Sequence, residues 1–402
     1  MSLPSHADFL IIGGGIIGIA LSLELKKRHP DCSVILLEKE SYPGQHASGR
    51  NSGVLHAGFY YTADSLKAKL TRNGNRELTE FCLERKISLN QCGKLVVAKN
   101  EHELDILHEL FRRGEFNNVD VRLISAAEAR EIEPRVKTCD QALFSPSTST
   151  VNPNDVIQAL ATDAQLAAIR FLTSIEYRSH NNNKIRTNRG VISYGYIINA
   201  AGLYADQIAH QFGFAQQYTI LPFKGMYLYS TDLQDSFRCN IYPVPAQDNP
   251  FLGVHLTVSV EGHVKIGPTA IPAFWRENYK GMDNFRLNEL FQIILTETKL
   301  FLSNQFDFRR LAVEEIRKIS KRKLLAGAAE LVNGIGENSL YKWDKAGIRA
   351  QLVNTGTGQL QMDFCFEGDD RSFHVLNAVS PAFTCALPFS RMMVDEIERK
   401  IK

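Results

Sequence analysis

The sequence predicts an α/β chain in two parts. One part winds its helices about a mostly parallel sheet and is interrupted by long insertions; the other is built on a mixed sheet. Three observations lead there. A strand, glycine turn, helix and second strand open the chain, a further strand–turn–helix follows near residue 200, and the stretches between differ in periodicity. With 402 residues the chain can bury more than one core.

The first element is ADFLIIGGGIIGIALSLELKKRHPDCSVILLEKE. Phe9 to Ile12 is a continuous apolar run, as a strand buried on both faces requires. Gly13, Gly15 and Gly18 follow in G-x-G-x-x-G spacing, Ile19 to Lys27 reads as a helix, and Val34 to Leu37 is a second apolar strand ending on Glu38. In such a unit the first glycine makes the tight turn, the second lets the backbone approach a pyrophosphate, and the third permits close helix–strand packing. The helix start offers unpaired N–H groups to the phosphates. Glu38, about 20 residues beyond the last glycine, is placed to bind ribose hydroxyls. This is a Rossmann-like unit, and by itself it suits NAD and FAD equally.

The second element, GVISYGYIINAAGLYADQIA, runs from a strand around Tyr196 to Ile198 through Asn199-Ala200-Ala201-Gly202 into a helix. Small residues after a strand suit close backbone approach to a ligand, here at Ala201 and Gly202. Together the two turns point to FAD. Their separation makes the FAD-binding part discontinuous.

A net charge of +2 gives no field to recruit nucleic acid. Seven scattered cysteines without a C-x-x-C pair suit free thiols in a reducing compartment. Phe9 to Leu25 lacks the basic leader and cleavage site of a signal peptide, and no apolar run is long enough to span a bilayer. The expected location is cytoplasmic, with peripheral contact at the inner face of a membrane left open. No His/Cys/Asp cluster has metal-ligand spacing, so no metal is expected.

Residues 48–61, SGRNSGVLHAGFYY, are too Gly-rich for a helix and too polar for a core strand. Loops of this kind carry function. With the fingerprint and the stretches GKLVVA, NAAGLYAD, IYPVPAQDNPFLGVHLT, VKIGPTA, KAGIRAQLV and HVLNAVSPAFTCAL, the chain resembles the glycine/D-amino-acid oxidase-like FAD-dependent oxidoreductases, most of all the L-2-hydroxyglutarate dehydrogenase/oxidase family. It departs from that family at Arg50-Asn51, where many members carry His-Asn.

The resemblance implies that Ser48, Asn51, Ser52 and Gly53 surround the pyrophosphate and isoalloxazine. It places His56 at the reactive face as a base for the substrate hydroxyl; a packed histidine and a covalent flavin tether are the alternatives. Arg349, in KAGIRAQ, would hold a carboxylate. Lys224, in LPFKGMYLY, faces either a salt bridge or the pocket. Asn377 to Ala382, with Ser380, Pro381 and Ala382, would open a C-terminal helix toward the flavin. His255 and His374 read as structural as readily as functional.

The expected organisation is an FAD-binding part at 1–86, 141–215 and 339–402, a mixed segment at 87–140, and a substrate part at 216–338. Residues 177–190 read as a surface hairpin, 219–271 as an antiparallel sheet and 285–332 as helical. Within the last, Phe308, Leu311, Ala312, Ile316 and Ile319 fall at helical spacing among seven Lys/Arg. That stripe suits either a helix docked on its own domain or an anionic membrane surface.

The expected function is oxidation of L-2-hydroxyglutarate or a close 2-hydroxy acid to the 2-oxo acid, with a quinone or oxygen taking the electrons. The alternatives are oxidation of a secondary amine or amino acid, oxidation of glycerol 3-phosphate, and a flavin-binding protein without turnover.

Overall fold

Strand His6–Ile12 lies in the middle of an eight-stranded sheet, with Ala7, Leu10 and Ile11 fully buried. It pairs in parallel with Val34–Leu37 on one side and Gly190–Asn199 on the other. Ser372–Asn377 adds in parallel beyond Gly190–Asn199, and Arg170–Leu172 adds in parallel beyond Val34–Leu37. The antiparallel edges are Cys365–Gly368 and the hairpin Tyr177–Asn181/Lys184–Thr187, the last as the sequence predicts. Helix Ile16–Arg28 is apolar through its first turns and ends on Lys26-Lys27-Arg28, where cations suit the helix dipole. Arg28 reaches Asp395 at 2.6 Å and Glu398 at 3.1 Å on helix Ala382–Ile401.

The computed structural model describes residues 3–232, 236–245, 253–303, 308–336 and 340–401. The chain divides into two units: Met1–Arg50, Pro153–Pro222 and Arg349–Lys402 form the first, and Asn51–Asn152 with Phe223–Ile348 form the second. Several expected boundaries differ from that division: residues 141–152 and 340–348, expected with the FAD-binding part, fall in the second unit, and residues 216–222, expected with the substrate part, fall in the first. Residues 51–86, expected with the FAD-binding part, belong to the second unit, and residues 87–140 supply strands of its sheet rather than a segment of their own.

That second sheet runs, in order, Tyr341–Trp343, Leu228–Ser230, Val264–Gly267, His255–Val258, Asn240–Pro243, Lys94–Val97, Gln141–Ser145 and Arg122–Ser125. Asn240–Pro243 and Lys94–Val97 pair in parallel and the other neighbours are antiparallel, so the sheet is mixed. Alternation sorts the interior strand Lys94–Val97. Leu95 and Val97 pack in one cluster with Leu324, Leu325 and Ala328 of helix Lys321–Ala329. Val96 packs in another with Phe59, Leu107 and Leu110, the last two from helix Glu101–Phe116. The same alternation puts Lys94 on the Val96 side.

Among the described residues the helical region holds the helices Leu287–Ser303, Phe308–Arg317 and Lys321–Ala329. The single stripe expected from Phe308 to Ile319 breaks after Arg317, because Leu324 and Leu325 turn into the core while Ile316 and Ile319 stay exposed. The side chains of Phe308 and Leu311 lie outside the described residues, as do residues 246–252 of the Y-P-V-P…F-L-G-V-H block.

Candidate functional site

In the first unit, three adjacent parallel strands, His6–Ile12, Gly190–Asn199 and Ser372–Asn377, end along one sheet edge. The turns after them are the three that the sequence marks: 13–15, 200–202 and 378–382. Carboxyl ends of parallel strands are where α/β sheets bind ligands. The first two turns touch. Ala200 N–H donates to Ile12 C=O at 2.9 Å, and a Cβ on Gly13, whose φ is +112°, would stand 2.4 Å from Ala200 C=O. A Cβ on Gly18 would stand 1.9 Å from Gly13 C=O, so no side chain fits there without moving backbone. Gly202 also has positive φ, with open space where a Cβ would go.

Gly15 brings no side chain to cap the helix. Instead Ser48 Oγ accepts the Ile16 N–H at 3.0 Å, which seats Ser48 at the helix start. Glu38, 7 % exposed, accepts from Gly14 N–H at 2.8 Å and from Glu40 N–H at 2.8 Å. A carboxylate offers about four acceptor sites, so capacity remains for ribose hydroxyls. Ala382 opens helix Ala382–Ile401 directly after Ser380 and Pro381, as expected. Gly13, Gly15, Gly18, Glu38, Ser48, Ala201 and Gly202 thus form a cradle that fits a dinucleotide.

Arg349 lies half-buried on Gly347–Asn354, and its Nε donates to Gln351 Oε1 at 3.1 Å. His374 is a packed structural histidine: Nδ1 meets Asn199 Nδ2 at 3.2 Å, Nε2 meets Ser372 Oγ at 3.1 Å, and burial lowers its pKa to about 4.

In the second unit, Asn51 Oδ1 accepts the Gly53 N–H at 2.9 Å, and Gly53 adopts a φ of +78°. Ser52 shares a side-chain hydrogen bond with Tyr227. Val54–Leu55 then pairs with Ser149–Val151, which fixes the approach of His56. His56 is held well below the ordinary imidazole value by burial first, then by the positive charge of Lys94, then by His255. Lys224, half-buried on Tyr218–Gly225, has its pKa lowered by burial and forms no ion pair among the described residues.

Lys94 is the residue that the sequence reading passed over. It opens an otherwise apolar strand and is 0 % exposed. Its Nζ stands 4.2 Å from the Tyr242 ring centroid, 5.2 Å from that of Tyr60 and 5.7 Å from that of Phe59. It has no hydrogen-bond partner among the described residues, and neither does the buried Tyr60 hydroxyl. His255 stacks on Tyr242 at 3.8 Å and bonds Gly253 C=O through Nδ1 at 2.8 Å, with its pKa lowered to about 3, chiefly by burial. Burial lowers the Lys94 amine from 10.5 to about 7. The one signal in the sequence was a cation inside a run that otherwise reads as a buried strand.

This has a consequence for stability. The shift corresponds to about 5 kcal/mol against the charged form. The folded-state pKa is depressed, so the penalty is absent above about 10.5, grows as pH falls, and is complete below about 7. Replacing a buried charge by an apolar side chain of similar volume removes that penalty. Lys94→Met is expected to raise the melting temperature of the FAD-loaded protein relative to wild type, most at pH 6.5 and progressively less toward pH 9.5; thermal melts at matched pH check it. A lower melting temperature at every pH would mean Lys94 is a structural cation.

Residues 8–396 match the family described as FAD dependent oxidoreductase (DAO). The chain is 35% identical to the L-2-hydroxyglutarate dehydrogenase of Salmonella houtenae over 97% of its own length and 93% of the relative's. It is 37% identical to the mitochondrial L-2-hydroxyglutarate dehydrogenase of Bos taurus, over 99% and 90%. Among solved structures, L-alpha-glycerophosphate oxidase from Mycoplasma pneumoniae with FAD bound aligns at a TM-score of 0.75 and 23% identity, covering 98% of this chain and 95% of that one. Glycine oxidase from Geobacillus kaustophilus aligns at 0.71 and 20%, over 98% and 95%. Those two likenesses speak for the fold. The family match and the relatives agree with the cradle: this chain is an enzyme that uses FAD, a member of the DAO family of FAD-dependent oxidoreductases together with those L-2-hydroxyglutarate dehydrogenases.

Proposed function

We propose that this enzyme oxidises L-2-hydroxyglutarate to the 2-oxo diacid. The observation that carries this reading is the buried, neutral imidazole of His56 beside the buried amine of Lys94, in a chain whose relatives bear that enzyme's name. Oxidation of a 2-hydroxy acid removes a hydride from the alcohol carbon and a proton from its hydroxyl. FAD, when bound, supplies the two-electron acceptor for the hydride. His56, uncharged at neutral pH, takes the proton. Arg349 offers a planar fork to a carboxylate and Lys224 a further positive charge. Gly13, Gly15, Gly18, Glu38, Ser48, Asn51, Ser52, Gly53, Ala201, Gly202, Ser380, Pro381 and Ala382 are the residues assigned to holding the cofactor.

The test is an anaerobic titration of the yellow protein followed in the oxidised flavin band. L-2-hydroxyglutarate is expected to bleach it, and D-2-hydroxyglutarate, lactate, glycerol 3-phosphate and sarcosine to leave it unchanged. His56→Gln should slow bleaching about 10²–10⁴-fold while keeping the flavin. Bleaching by sarcosine or glycerol 3-phosphate in place of the L-diacid would sink the substrate assignment.

The electrons are proposed to leave to a quinone at a membrane surface. No helix among the described residues is long and apolar enough to cross a bilayer. However, helix Leu287–Ser303 exposes Leu287, Phe291, Leu295 and Leu302 at helical spacing, with Val313, Ile316 and Ile319 exposed nearby in the chain. Arg309, Arg310, Arg317, Arg322 and Lys323 are also exposed. An apolar face with basic flanks suits shallow insertion among anionic headgroups. Co-sedimentation with vesicles containing phosphatidylserine is expected, weakened by salt and by Phe291→Ser with Leu295→Ser. Equal recovery in the supernatant with and without vesicles would remove this surface from the account.

A further inference from the structure

Among the described residues Lys94 has no counter-ion, and the groups around it do not provide one. Cys92, which precedes it, has its pKa raised to about 11 and is a neutral thiol near pH 7. Burial pushes the Tyr60 and Tyr242 hydroxyls up, so they are uncharged, and pushes His56 and His255 down, so they are uncharged too. Its register partners Asn240 and Ser145 carry no charge. Lys318, which also bears on His255, is paired with Glu315. Among these groups Lys94 alone changes charge near pH 7. Aromatic faces at 4.2 to 5.7 Å offset part of the desolvation of an ammonium group. A carboxylate would complete it.

We propose that Lys94 receives a carboxylate of the substrate, and that the ion pair so formed keeps the charge of Lys94 from opposing proton transfer to His56. The inference rests on the functional reading above and assigns to it a residue that reading does not use. In the ligand-free enzyme an ammonium at Lys94 and an imidazolium at His56 would be two like charges in one buried cluster, so a proton on one disfavours a proton on the other. A carboxylate against Lys94 cancels the charge of the ammonium, whether that charge is already present below about pH 7 or is taken up on binding above it. The imidazole can then accept the hydroxyl proton as the alcohol carbon gives up its hydride to the bound cofactor. The proton and the hydride leave the same alcohol, and no further reactant is needed. Lys94 contacts the substrate's acid group and acts on the reacting hydroxyl only through His56. Below about pH 7, where Lys94 is charged without a ligand, a substrate without a carboxylate would leave that charge opposing proton transfer to His56, which ties chemistry to recognition of an acid.

Glutarate, an unreactive diacid, is the probe. Binding to the FAD-loaded wild type is measured by calorimetry and by the perturbation of the flavin spectrum, between pH 6.5 and 9. Affinity is expected to fall about tenfold per pH unit above about 7, because only the charged amine binds. Lys94→Met and Lys94→Gln should weaken glutarate at least 30-fold with flavin content retained. With L-2-hydroxyglutarate the same variants should raise KM and also flatten the dependence of the bleaching rate on pH. Unchanged glutarate affinity in either variant, or a wild-type affinity flat from pH 6.5 to 9, would overturn the proposal; the second result does so even if neither variant folds. Glutarate binding that needs Lys94 in a protein that L-2-hydroxyglutarate does not bleach would support the anion site and refute the substrate assignment instead.

Discussion

An amine enclosed by Tyr242, Tyr60 and Phe59 organises the interior of the second unit. Strand alternation alone fixes its position: Val96 must face the cluster of Phe59, Leu107 and Leu110, so the residue two before it does as well. Burial sets the state of its neighbours, and the charge adds to it at His56. The charge helps hold His56 neutral, while burial keeps the Tyr60 and Tyr242 hydroxyls protonated. A hydrophobic side chain at this place would pack without penalty. Such a group is destabilising until a counter-charge reaches it, which is the role proposed above for a substrate carboxylate.

The first unit solves a different problem, close approach of backbone to backbone. Glycine at position 18 lets the helix start lie against the Gly13 carbonyl, and glycine at 13 lets the Ala200 turn close over the first one. Because the three strands are parallel and adjacent, their turns gather without further design. Ser48 and Glu38 finish the cradle by accepting backbone N–H groups near the glycines. The role of the residues there is binding and orientation; His56, the base proposed above, lies in the second unit.

Much of this was legible in the sequence where a local rule leaves one solution. Val34–Leu37 is a strand with the bounds its apolar run implies, and the 177–190 hairpin follows from its polar turn. The glycines at 13 and 18 could be read because a Cβ at either would run into backbone. His374 could be weighed but not decided, since satisfaction by Asn199 and Ser372 depends on partners 175 residues away and two residues away at once. The division of the chain at 50/51 left no mark, because the loop 48–61 runs through it without a change in composition. Lys94 left only a faint mark: a lysine in a strand reads first as an edge or a solvated position, and the long-range pairing of Lys94–Val97 with Asn240–Pro243 and Gln141–Ser145 shows it to be interior.

The most direct measurement of the central claim is the number of protons taken up when glutarate binds. Calorimetric titrations at pH 8 in two buffers of different ionisation enthalpy give it without turnover. Nearly one proton per site in the wild type, and none in Lys94→Met, is the result this account predicts, since an amine with a pKa of about 7 is mostly neutral at pH 8 and must charge to meet the carboxylate. Binding with the same heat in both buffers would contradict it.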